Sequence, residues 1–111
     1  MSAIDGTSSG SDDSLASLFA GLVQDLPEVT VVDTAGGSEY RRGDRAFAAT
    51  EDRAAELRLH PEVAEAARRT SHTTPSKRGP GWVRFEPPSV DGFALDRAGA
   101  WFLSAWRAAE R

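Results

Sequence analysis

The sequence predicts an α+β domain: a mainly antiparallel sheet of four to five strands, with an N-terminal and a C-terminal helix packed on it and a short middle helix. Three observations lead there. Apolar residues recur at helical spacing near both ends of the chain. Between those ends the pattern changes to β-branched runs and apolar/polar alternation. Most of the strand-like segments are joined by short Gly- or Asp-containing turns, which favours hairpins over βαβ winding.

Taken in order, residues 1–12, "MSAIDGTSSGSD", are small and polar and carry too little apolar surface to offset ordering entropy, so they read as a disordered tail. Residues 13–111 read as one domain. Leu15, Leu18, Phe19, Leu22, Val23 and Leu26 form one apolar stripe at helical period, with Asp13 or Ser14 as the cap and Pro27 as the stop. A strand is expected over Val29–Asp33. "SEYRR" and "RAFAAT" flank Gly43-Asp44, which reads as the two-residue turn of a hairpin. In "AAELRL", Ala55, Leu57 and Leu59 alternate with Glu56 and Arg58, as in a half-buried strand. Pro61 opens the short helix "PEVAEAARR", with Glu62 and Glu65 near its positive end. Residues 70–81 read as a loop. "WVRFE" is the last strand, with Val83 and Phe85 on one face and Trp82 and Arg84 on the other. Asp91 caps a final helix carrying Leu95, Ala98, Trp101, Phe102, Ala105 and Trp106.

Charge is unevenly spread. The chain of 111 residues has net charge −4, yet residues 1–37 hold six acids and no base. The remaining eleven acids face all thirteen bases, so residues 38–111 are net +2. Cysteine is absent, which removes disulfides, thiolate chemistry and Cys-based zinc sites. No basic n-region or apolar run of membrane length occurs, so no membrane partner and a cytoplasmic location are expected.

No motif builds a catalytic site. Gly6-Thr7-Ser8-Ser9-Gly10 spells a nucleophile-elbow pattern, but no buried strand precedes it. Arg42-Gly43-Asp44 is an adhesion tripeptide already explained by the hairpin turn. His60 and His72 are the only imidazoles and have no ligand spacing around them, so no metal and no cofactor are expected. His60 reads as a helix cap. Glu56, Glu62 and Glu65 read as solvated-face carboxylates, and the Trp101–Trp106 stripe reads as core.

The basic window stands out. Arg68, Arg69, Lys77, Arg78 and Arg84 fall within seventeen residues that contain no Asp or Glu. Guanidiniums and Gly-flanked loop amides suit phosphate contacts, and an outward Trp82 beside Arg84 would stack on bases or on a protein partner. Two plainer readings stand beside these: a solvated charged rim, and a Trp82 covered by the preceding loop.

"PSKRG" followed by "GWVRFEPPSVDGFALDRAGAWFLSAWRAA" resembles the C-terminal half of two allied groups of small bacterial α+β domains. One is the N-terminal domain of TfoX/Sxy regulators; the other is the MmcQ/YjbR-like double-wing group. "YRRGDRAFAATEDRAAELRL" resembles the hairpin and strand that open such domains, so the similarity spans residues 38–108. The resemblance implies a cytoplasmic, non-enzymatic protein linked to transcriptional regulation or DNA binding, with no catalytic residue to carry over.

The leading expectation is thus a non-enzymatic binding or regulatory domain that contacts nucleic acid through Arg68, Arg69, Lys77, Arg78, Trp82 and Arg84. The alternative is a protein-interaction or homo-oligomerisation module. A small-ligand-binding protein with a pocket between helix and sheet ranks third.

Overall fold

The structure is a computed structural model that describes residues 14–110. The expected tail and the Gly6–Gly10 motif lie outside the described residues. Helix α1 (Leu15–Val23) leads into four strands joined in sequence, β1 (Val29–Thr34), β2 (Gly37–Arg42), β3 (Arg45–Glu51) and β4 (Ala54–Arg58). Helix α2 (Pro61–Arg68), strands β5 (Thr73–Pro75) and β6 (Trp82–Phe85), and helix α3 (Gly92–Ala108) complete the chain. The sheet is antiparallel throughout, in the order β1-β2-β3-β4-β6-β5. The α+β class holds, with six strands instead of four to five.

The additional strand is β5, which lies inside the segment read as a loop. It is three residues long, includes Pro75, and pairs Thr73 with Phe85 and Pro75 with Val83. So short a run leaves no period to detect.

Local chemistry sets the other boundaries. Ser14 caps α1, its Oγ accepting from the Ser17 amide at 3.0 Å, and Asp91 Oδ1 caps α3 by accepting from the Ala94 amide at 2.9 Å. Helix α1 ends at Val23, four residues before Pro27, because the chain unwinds through turns that bond Asp25 to Leu22 and Leu26 to Val23. His60 precedes α2 without a side-chain cap bond, contrary to its expected role; Pro61 alone sets the helix start. Gly43 takes φ 62° at the first central position of the β2–β3 turn, where a side chain would be strained.

All three helices lie on one face of the sheet. The row Tyr40, Ala48, Leu57 and Val83 crosses β2, β3, β4 and β6 on that face. Each of its members is buried beneath α1 and α3. Phe19 of α1 stacks on Phe102 of α3 with ring centroids 4.3 Å apart, and Tyr40 meets both rings edge-on. Such aromatic geometry adds about 1 kcal/mol per pair beyond area burial. Phe102 is core, as its spacing implies, whereas Trp101 and Trp106 are half-buried at its margin. Trp106 lies under the Arg42 guanidinium at 3.9 Å and donates to the Pro27 carbonyl at 3.3 Å, fastening the end of α3 to the β1–β2 end of the sheet. Among the described residues, no helix is long and apolar enough to cross a membrane.

Candidate functional site

No helix covers the second face of the sheet, and two features of it bear on function. The first is an ion-pair lattice. The register sets Glu39, Ala49, Glu56, Arg84 and Thr74 side by side across β2, β3, β4, β6 and β5. The loop from Ser76 to Gly81 folds back over this row. It can turn so tightly because Gly79 and Gly81 adopt φ 134° and 84°. Arg78 on this loop donates from Nε to Glu56 at 2.7 Å and from Nη1 to Glu39 at 3.2 Å. Between those two glutamates lies Ala49, buried, and small enough to let the guanidinium span them.

Arg84 continues the lattice, with Nη1 3.0 Å from Glu51 and 3.4 Å from Glu56, and Nε 3.5 Å from Glu86. Ser76 Oγ donates at 2.9 Å to the same Glu56 oxygen, Oε2, that Arg84 approaches, leaving Oε1 to Arg78. Burial raises the Glu56 pKa, but the hydrogen bonds from Arg78 and Ser76 and the charges of Arg78 and Arg84 outweigh it and hold the carboxyl below its ordinary value. The hydrogen bond from Arg41 is the main cause holding Glu39 low as well. Glu56 is 7% exposed, so its expected solvated-face position is corrected: the returning loop roofs it. Glu62 and Glu65 are exposed, as read.

The six residues of the basic window divide between two layers. Lys77, Arg78, Trp82 and Arg84 lie together on the uncovered face of the sheet. Arg68 and Arg69 lie at the end of α2, in the helix layer, where Arg69 pairs loosely with Glu65 at 3.4 Å. Trp82 keeps 9% of its surface exposed and has the Arg78 guanidinium 5.2 Å from its ring centroid. The loop therefore covers the indole. Around Arg78 and Arg84, the four carboxylates of Glu39, Glu51, Glu56 and Glu86 meet three guanidiniums, the third being Arg41. These acids come from other strands or follow the window, so a count along the window does not register them.

The second feature is the β1 edge. Thr34 and Gly37 close the two-residue β1–β2 turn, so they exchange both hydrogen bonds of a narrow pair. Alternation from that pair directs the backbone groups of Thr30 and Val32 toward β2. Those of Val29, Val31 and Asp33 point away from the sheet. Val31 and Val32 are 45% and 40% exposed, two of the three large apolar side chains that stand out among the described residues. No Lys, Pro or bulge interrupts Val29–Thr34, and Asp33 near its end is its one charged residue. The opposite edge is blunted, since β5 is short and ends in Pro75. The β-branched composition of "VTVVDT" gives the strand from sequence; its place at the edge follows only from the topology.

Other chemistry is sparse. Among the described residues, no three His, Asp or Glu side chains gather into a metal-binding group. A cleft of about 260 Å³ at the start of α3, lined in part by Phe85, Phe93, Ala94 and Arg97, is smaller than ordinary small-molecule sites, whereas grooves of about 630 and 750 Å³ lie at the ion-pair lattice and beside Val29. No protein-family model, curated protein or solved structure matches the chain.

Proposed function

We propose that the chain is a non-enzymatic protein-interaction module in which β1 receives an extended segment of a partner as an added strand. One observation carries this reading: β1 is a six-residue edge with outward amides at Val29, Val31 and Asp33 and exposed valines on both faces. Main-chain bonds would supply affinity and the valines would supply contact area. The charge balance of the uncovered face favours this over polyanion binding, since Arg78 and Arg84 already face carboxylates. A non-enzymatic regulatory role in a cytoplasmic setting agrees with the resemblance to TfoX- and YjbR-like domains and with the cysteine-free chain.

The test is a display selection of random linear peptides against the protein, followed by amide chemical-shift mapping of the selected binders. Shifts centred on residues 29–34 are expected. Shifts centred on the loop around Lys77, or no selected peptide under conditions where the protein is monomeric, would overturn the reading.

A further inference from the structure

Resting on the reading of β1 as an interaction edge, we infer that its occupant is a second copy of this chain, paired antiparallel about a two-fold axis through Val31. The outward-facing residues are Val29, Val31 and Asp33, spaced symmetrically about Val31. A two-fold axis there sets Val31 against Val31 of the copy and Val29 against Asp33 at both ends. Every outward N–H and C=O of the three residues then meets a partner, about six hydrogen bonds in all.

Side chains select this register over its neighbours. On the uncovered face, Thr30 lies opposite Val32 of the copy, twice, giving two β-branched cross-strand pairs. On the helix face the two Val31 side chains meet. Asp33 is the strand's one charged residue. In the Val31-centred register the two Asp33 residues sit four positions apart, about 14 Å, beyond the screening length of about 8 Å at physiological salt. Centring the axis on Val32 would bring them to about 7 Å. Centring it on Thr30 would run Asp33 against Pro27, which has no amide to donate.

On the helix side the end of α3 reaches the chain ahead of β1, where Trp106 bonds the Pro27 carbonyl, and Val31 lies exposed beyond it. Helices α1 and α3 pack over β3 and β4, leaving Val31 uncovered beyond them. The sheets of the two copies would join into one continuous antiparallel sheet.

The absence of native cysteine permits a clean test on the full chain. In a hydrogen-bonded antiparallel pair, opposed Cα atoms are about 5.5 Å apart, within disulfide reach. Val31→Cys should therefore form a covalent dimer under mild oxidation, whereas Val29→Cys, opposite Asp33, should form no cross-link. Light scattering should give twice the 11.9 kDa chain mass for the unmodified protein. Val31→Pro, which removes an outward amide and no β1–β2 bond, should weaken the dimer at least tenfold. Circular dichroism and the melting temperature confirm that each variant folds. An unmodified protein that stays monomeric at high concentration, with Val31→Cys uncross-linked, overturns the second copy. A dimer that ignores both substitutions overturns it equally. The wider reading of β1 is judged separately by the peptide mapping, which a monomer would still satisfy.

Discussion

Arg78 and Glu56 meet at 2.7 Å, Nε to Oε1, across 22 residues of chain, and this pair closes the loop over Trp82. Glu56 retains 9% of its side-chain surface and Arg78 retains 33%, so the carboxylate depends on the pair more than the guanidinium does. Replacing Arg78 with Ala leaves Glu56 with Arg84 and Ser76 as partners and uncovers the indole. The expected cost is about 1–2 kcal/mol, below that of orphaning a fully buried charge. Chemical denaturation measures it. Tryptophan emission of the folded variant should shift to longer wavelength as Trp82 meets water, and an unchanged spectrum would mean that the indole is sheltered by something else.

Acid should loosen the same lattice. The Glu56 carboxyl is held below its ordinary value of 4.5 in the folded protein. Its contribution is therefore fully present above that value and fades as pH falls through the lower folded value. Glu56→Gln should be less stable than the parent at neutral pH by about 1–2 kcal/mol. The gap between the two should shrink below pH 4.5, where the unfolded parent takes up a proton, and close as pH falls through the lower folded value. Parallel urea titrations from neutral to acid pH follow this difference; a constant gap would assign the loss to packing instead of charge.

How far these features were legible in the sequence depends on how local their causes are. The stripe that begins at Leu15 and the Gly43-Asp44 turn are fixed by neighbours in the chain; the turn formed as read, and the helix formed over Leu15–Val23, stopping short of Leu26. Glu56 was legible as an outward position in an alternating strand, but its burial depends on a loop that starts some twenty residues later. The charge balance around the basic window is hidden from the sequence for the same reason. Its neutralising glutamates Glu39, Glu51 and Glu56 lie on strands earlier in the chain, brought close only by the register. The β1 edge is the opposite case, since the strand is plain in the sequence and its lack of an outer neighbour is a property of the whole sheet.

Two glycines should respond differently to alanine. A Cβ on Gly37 would drive into the backbone carbonyl of Thr50 on β3, and neither strand can yield without giving up the pairing of Ser38 with Thr50. A destabilisation of about 1–3 kcal/mol is expected, the range for forced overpacking. Gly43 has open space around its Cβ position, and there only the left-handed φ of 62° is at issue. Gly43→Ala should cost about 1 kcal/mol. Melting temperatures of the two variants rank them directly, and equal shifts would mean that the β2–β3 register slips to make room.

Salt dependence separates a phosphate-binding surface from the paired one described here. Each phosphate neutralised steepens the decline of log affinity with log salt by about 0.9 on duplex DNA, so five cations acting together would give a slope near −4.5. Of the five window cations, Arg78 and Arg84 are held by carboxylates, and on the uncovered face only Lys77 has no ion pair among the described residues. Arg68 and Arg69 belong to the helix layer and act separately from it. Any affinity of the window for mixed-sequence DNA should therefore have a slope between about −1 and −2. Lys77→Ala should shift it by about 1 unit, and Arg78→Ala should leave it nearly unchanged. Fluorescence titrations at several salt concentrations give these slopes. A value near −4 that collapses in Arg78→Ala would show Arg78 exchanging Glu56 and Glu39 for phosphates, and the loop would then be a nucleic-acid clamp that opens to bind.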